Sequence, residues 1–247
     1  MSDALPLLVA VASTFLVAGV VKGVIGLGLP TVAIGLLGLY MPPAEAASLL
    51  VAPSLVTNLW QLAARPVAPL LGRLWSMMLG ICLGTWAGSG LLATDESGRA
   101  ATALGVVLAL YAVAGLASVR PRVPPRAEPW LSPLVGAATG LVTAATGVFV
   151  VPAVPYLEAL GLQKEDLVQA LGLSFTVSTL ALAVGLARDG VLDASLAGGS
   201  VLALAPALAG MSLGRQLRAR ANPRVFRLCF FLGLLVLGAH LALRRAV

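Results

Sequence analysis

The chain has 247 residues, of which 59% are apolar and only 11% charged, and its mean hydropathy is +0.99. A water-soluble domain carries about 25% charged residues, so an ordinary cytosolic enzyme, a disordered chain and a nucleic-acid binder are all excluded. The net charge of +6 then reads as the basic loops of a polytopic membrane protein without an extramembrane domain.

At about 20 apolar residues per span, the first segment, 5–40, is too long for one crossing and short for two with a turn. It lacks a basic leader region and is expected to be a membrane segment, not a cleaved signal. Its middle, KGVIGLGLP, holds three glycines and a proline, poor material for a helix interior. Segments 44–64, 68–92 and 99–119 follow as plain spans. The only clear linker, Arg120-Pro121-Arg122-Val123-Pro124-Pro125-Arg126, falls near the middle of the chain. Beyond it, 131–157 is interrupted by TGLVTAATG, and 166–187, 194–214 and 223–243 are again plain spans. Gly84/Gly88, Gly136/Gly140 and Gly210/Gly214 are small-residue pairs that mark helix contacts. Cys82 and Cys229 lie far apart in apolar runs and are expected as reduced, buried, inert thiols.

The central linker prompts a search for a repeat, and one is found. Residues 22–34 lie over 139–151 at an offset of 117; four residues are then inserted, and Glu45 to Asn58 lies over Asp166 to Thr179 at an offset of 121. Glu45 meets Asp166, Pro53 meets Ser174 and Thr57 meets Ser178. The shared pattern is a Gly/Thr-rich break, a short acidic loop and a polar patch inside a helix. The division is 1–119 for the first repeat, 120–130 for the linker and 131–247 for the second repeat.

Each interrupted segment is either a broken, tilted helix or a re-entrant pair of half-helices. If both are hairpins, 11 basic residues share one face and 4 the other; eight plain spans divide them 8 to 7. The positive-inside rule favours the hairpins. The expected fold is therefore an all-α polytopic membrane protein of two homologous halves in inverted repeat. Each half has a Gly-rich broken or re-entrant first segment plus three transmembrane helices.

In so apolar a chain, buried polar groups stand out. A broken membrane helix turns backbone N–H groups and a positive dipole end into the protein, where a small anion is the natural partner. Gly26, Gly28 and Gly147 allow close backbone approach, and Thr31, Thr139, Thr143 and Thr146 offer hydroxyls at the breaks. These residues also suit plain close helix packing. Lys22 is the one ionisable residue inside the first segment. It lies near the bilayer centre in a hairpin, whereas in a continuous helix it is about 25 Å along and can snorkel out. The following helices carry Ser54, Thr57, Asn58 and Gln61 in one half and Ser174, Thr176, Ser178 and Thr179 in the other. They line the same cavity or serve as interhelical hydrogen bonds, and Pro53 frees a carbonyl among them.

Ser174 with His240 is a weak pattern for a membrane serine protease, because His240 belongs at the membrane interface. Glu45, Glu165 and Asp166 sit at helix starts, where the dipole favours them, so no relay of buried acids is expected. No phosphate-binding loop, metal cluster or cofactor motif is present.

The breaks KGVIGLGLPTVAIGLL and TGLVTAATGVFVVPAVPYL, followed by MPPAEAASLLVAPSLVTN and LQKEDLVQALGLSFTVST, resemble the TauE/SafE family of sulfite exporters and related permeases over essentially the whole chain. The family pattern is roughly G-x-G-G-G-x-x-x-x-P. Here Leu29 and Pro30 replace glycines, Gly35 stands where the proline would be, and Ala145 and Thr146 dilute the second copy, while Pro152 is kept. The resemblance implies a secondary permease for a small anion, sulfite or an organosulfur anion, in a bacterial inner membrane. Alternating access would occur at a midplane site between the repeats. Backbone N–H groups near Gly26 to Pro30 and Thr143 to Gly147 would hold the anion. Lys22 supplies charge, and Thr57, Asn58, Ser174 and Ser178 supply hydrogen bonds. Expected partners are the bilayer, the anion, a coupling proton or cation and a second copy in a homodimer. A passive anion channel and a non-transporting assembly subunit are the alternatives.

Overall fold

The computed structural model describes residues 4–63, 66–93, 99–117, 122–218 and 222–243. Among them are ten helices and no strand: α1 (Ala4–Ile25), α2 (Leu29–Leu37), α3 (Pro43–Leu62), α4 (Ala68–Ala87), α5 (Arg99–Ala117), α6 (Glu128–Thr146), α7 (Ala153–Ala159), α8 (Lys164–Arg188), α9 (Ala194–Arg218) and α10 (Pro223–Leu243). Arg65, Arg120, Arg220, Arg244 and Arg245, which entered the loop-charge argument, lie outside the described residues. Six helices (α1, α4, α5, α8, α9 and α10) are long and apolar enough to cross a membrane. The outer surface is apolar, and all four tryptophans, Trp60, Trp75, Trp86 and Trp130, are exposed on it, as suits rings placed against lipid and its interface.

Lipid tails are as apolar as leucine, so helices in a membrane associate through close contact rather than through the hydrophobic effect. The glycines show where. A β-carbon at Gly84 would lie 2.1 Å from the Ala137 carbonyl oxygen of α6, and one at Gly210 would lie 2.1 Å from that of Leu16 on α1. Gly136 and Gly140 meet the α4 backbone at Met77 and Ile81, and Gly214 meets α1 at Val20. The most extensive helix pairs are accordingly α1 with α9 and α4 with α6, followed by α5 with α10. Both leading pairs join one half of the chain to the other.

The contacts also fix helix directions. Leu16 and Val20 of α1 meet Gly210 and Gly214 of α9, so these two run parallel. Leu49 of α3 meets Ser200 of α9, and Trp60 lies under Arg215, so α3 runs parallel to them. Met77, Ile81 and Gly88 of α4 meet Gly136, Gly140 and Ala144 of α6, again parallel. By contrast, α3 and α8 are antiparallel: Leu62 meets Gln169, Asn58 meets Gly172 and Ser54 meets Thr179.

These directions decide the form of the interrupted segments. Since α1 and α3 run the same way, α2 between them must run back. The first segment is therefore a hairpin of unequal arms, α1 of 22 residues and about 33 Å, and α2 of nine residues and about 14 Å. In the second copy, the Ser132 and Tyr156 hydroxyls are 2.7 Å apart, which folds α7 back along α6. Both turns depend on glycine. Gly26 (φ 89°) and Gly28 (φ 102°) sit in the first, and Gly147 (φ 73°) in the second, all in the left-handed region that penalises a side chain.

The two breaks correspond at one spacing, without the four-residue insertion expected from residue types. Gly26 and Gly147 are each the first residue beyond their helix, and each donates its N–H to the carbonyl four residues back, Lys22 and Thr143. Gly147 follows Gly26 by 121 positions, and Lys164, which opens α8, follows Pro43 of α3 by the same 121. An offset of 121 thus relates both features, and at that spacing Lys22 is set against Thr143, where the offset of 117 sets it against Thr139 one helical turn earlier.

Candidate functional site

Pro53 lacks an N–H, so inside α3 it cannot bond the carbonyl of Leu49. Ser200 of α9 takes that carbonyl (2.9 Å) and accepts the N–H of Ala52 (2.9 Å). The freed carbonyl is therefore not available to a ligand, and Ser200 is a structural residue that periodicity gave no reason to single out.

One turn further along α3, the polar patch meets α1. Lys22 is 3% exposed. It does not snorkel. Its ammonium donates to Thr57 Oγ1 (3.0 Å) and, at short range, to Asn58 Oδ1. Asn58 Nδ2 donates to Ser54 Oγ (3.1 Å), which lies 3.1 Å from Thr179 Oγ1 on α8. The Thr179 proton goes to the Phe175 carbonyl (2.6 Å), and the Thr57 proton goes to the Pro53 carbonyl (2.7 Å). Ser54 must therefore donate to Thr179. The hydrogen bonds run one way, from the Lys22 ammonium through Asn58, Ser54 and Thr179 to a backbone carbonyl, and they cross the seam between α3 and α8. Among the described residues no carboxylate forms an ion pair with Lys22. Burying a charge is costly, and here the charge is solvated by neutral oxygens alone.

Gln61, on the same helix, donates to the Gly26 carbonyl (2.8 Å) and so ties α3 to the first break; its own Oε1 is buried without a partner. A β-carbon at Gly26 would meet nothing within 4 Å, so there is open space at the break. Thr31, in the first turn of α2, gives its proton to the Gly28 carbonyl (2.9 Å). Pro30 beside it has no N–H, which thins the donors expected from that helix start.

The second break carries no charged side chain. Thr143 and Thr146 belong to the last turn of α6, which, like the end of α1, presents carbonyls, not N–H groups. The backbone donors expected from Thr143 to Gly147 do not face a ligand as a set. Thr139, Thr143 and Thr146 bond the carbonyls of Val135, Thr139 and Val142, each four residues back, and Thr146 also accepts the N–H of Val148. Gly147 packs against Ile34 and Ala47. Ser174 and Ser178 are fully buried on α8, and neither hydroxyl makes a hydrogen bond. The structure thus joins Lys22, Thr57 and Asn58 directly. It places Gly26 beside them through Gln61, and sets Thr139, Thr143, Thr146 and Gly147 at the other break.

The remaining expectations divide. Glu45, Glu165 and Asp166 do open α3 and α8. Cys82 and Cys229 are free, but neither is buried as expected: Cys82 is half-buried, and Cys229 is exposed because its side of α10 faces outward. His240 is exposed in the last turn of α10 and has no hydrogen bond to the buried Ser174.

Neither a curated protein nor a solved structure matches this chain. A family model, that of the sulfite exporter TauE/SafE, matches residues 11–241, nearly the whole length. With its apolar spans and hairpin breaks, the chain belongs to the TauE/SafE family of membrane transporters.

Proposed function

We propose that this protein is a secondary permease for a small oxyanion, sulfite or an organosulfur anion, in a bacterial inner membrane. The observation that carries the reading is the buried Lys22 ammonium, held by Thr57 and Asn58 with no acidic counter-ion among the described residues. An anion is the partner that completes such a charge. Lys22, Thr57, Asn58 and Ser54 are all at most 3% exposed. An anion reaches them only when helices move, which favours a carrier over an open channel.

The halves act as inverted repeats in this reading, supported by the antiparallel run of the equivalent pairs α3/α8 and α5/α10. The moving bodies, however, are not the sequence halves. Backbone-to-backbone contacts lock α1 to α9 and α4 to α6, so a swing of one half against the other would tear both interfaces. The mobile seam is the polar one, α3 against α8, with α1, α3 and α9 on one side and α4, α6 and α8 on the other. Rocking there parts Ser54 from Thr179 and opens the Lys22 site to alternate faces.

The test is uptake by liposomes holding the purified chain, with sulfite, a short alkylsulfonate, sulfate and chloride compared. Saturable uptake of a sulfur oxyanion, greatly reduced in a folded Lys22→Gln variant, is expected; unchanged uptake in that variant ends the role of the charge. Topology has its own check. Single cysteines at Ala127 and Ala194, in a background without Cys82 and Cys229, should label from opposite membrane faces, whereas eight plain spans put them on the same face.

A further inference from the structure

Most of the buried hydroxyls inside these helices give their proton to a carbonyl one turn back. Ser48, Thr57, Thr85, Thr139, Thr143, Thr146, Thr176 and Thr179 all do so. Ser54, Ser132 and Ser200 bond to a neighbouring element instead. Ser174 and Ser178 do neither, although both are 0% exposed. They stand one turn apart and so share a face of α8. Two buried polar atoms left this way are costly unless something completes them.

We infer that Ser174 and Ser178, with the carbonyl end of α6, form a site for a monovalent alkali cation such as sodium at the second break. This rests on the reading of the two halves as copies. At the offset of 121, Thr143 takes the place of Lys22, Ser178 that of Thr57 and Thr179 that of Asn58. In the first half an ammonium fills the space between the broken helix and its neighbour. In the second half the corresponding positions, Thr143, Ser178 and Thr179, carry hydroxyls and no cationic side chain. Phe149, just beyond the break, packs its ring 5.3 Å from that of Phe175, and Val148, Phe149 and Val150 are fully buried. The broken segment therefore touches α8 at Phe175, which lies between the two serines in sequence and is adjacent to Ser174. The end of α6 turned toward this segment is its negative, carbonyl end, whereas α7 has only seven residues. Freed carbonyls and hydroxyls at a helix break are the ligands that hold sodium in transporters. Calcium and its like call for carboxylates, and no group of three His, Cys, Asp or Glu side chains occurs among the described residues. Set across the α3–α8 seam from Lys22, the cation is the coupling ion of the proposed permease.

The experiment uses the purified full chain with no sulfur anion present, and replaces choline chloride by sodium chloride at constant ionic strength. Sodium at about tenfold its dissociation constant should raise the unfolding temperature by about 3 °C or more. The Ser174→Ala/Ser178→Ala double variant should be at least as stable as the parent in choline, because it loses no hydrogen bond and removes two unpartnered hydroxyls, and should show no sodium response. Thr143→Lys should imitate the first half and lose the sodium response as well. No response in the parent overturns the site, as does a response retained in the serine variant. Stabilisation of the parent by sulfite in choline, lost in the serine variant, would make the hydroxyls anion donors and overturn it too. Sodium stabilisation in a protein that takes up no anion would leave the cation site standing and defeat the permease reading alone.

Discussion

The two helix breaks are built on the same frame and finished in different ways. At the first, Lys22 supplies a positive charge, and Thr57, Asn58, Ser54 and Thr179 are satisfied in one directed series of hydrogen bonds. At the second, Thr143, whose carbonyl accepts the glycine N–H as that of Lys22 does at the first, has its hydroxyl bonded to its own helix, and Ser174 and Ser178 are left without partners. The frame needs a glycine that can turn and a helix that can end; it does not need a charge. The chemistry is therefore carried by what differs between the two breaks, and the turn by what they share.

The strongest way to break the comparison is to lock the seam that both breaks adjoin. A thiol cross-link between cysteines at Leu62 and Gln169, which meet across α3 and α8, should abolish uptake. One between Leu49 and Gly199, which meet within the α3–α9 body, should leave more than half of it. Equal loss in both would refute the seam as the moving surface. Next in size, Lys22→Gln removes the charge that separates the two breaks and should lower uptake efficiency about 100-fold, the worth of a charge-assisted contact of about 2–3 kcal/mol.

A packing test should show the two halves behaving alike. Gly84→Leu and Gly210→Leu each drive a side chain into a facing carbonyl, and each should cost about 2–3 kcal/mol in reversible unfolding. A difference of more than about 2 kcal/mol between them would deny the equivalence of the α4–α6 and α1–α9 contacts. Smallest of all, Ser200→Ala leaves the Leu49 carbonyl without its partner and should cost about 1–2 kcal/mol, read by the same unfolding measurement.

All eight apolar segments, and the helix contacts at Gly84, Gly136/Gly140 and Gly210/Gly214, were legible in the sequence because they depend on local hydropathy and on the absence of a side chain. The chain's membership of its family was equally legible in the two breaks. The polar patches were visible for a similar reason: Asn58 or Lys22 in an apolar run needs a partner wherever the run ends up. Which partner it finds is a different matter. The Lys22–Asn58 contact spans 36 residues, and Ser54 to Thr179 spans 125. Likewise the pattern of residue types, with few identities, sets Lys22 against Thr139, whereas the glycines that end α1 and α6 set it against Thr143, one helical turn away.

What the sequence by itself determined was composition, span, break and the one ionisable residue of the first segment, Lys22, since each follows from the residue and its near neighbours. That Lys22 is buried and does not snorkel was decided by the fold. Only the tertiary structure decided that α1 lies on α9 and α4 on α6, that Ser200 completes the proline in α3, and that Thr139, Thr143 and Thr146 turn to their own helix while Ser174 and Ser178 do not. The physical reason is that a hydroxyl in a helix has two nearly equivalent uses, its own backbone or a neighbour. The choice between them is made by whatever the fold brings within about 3 Å.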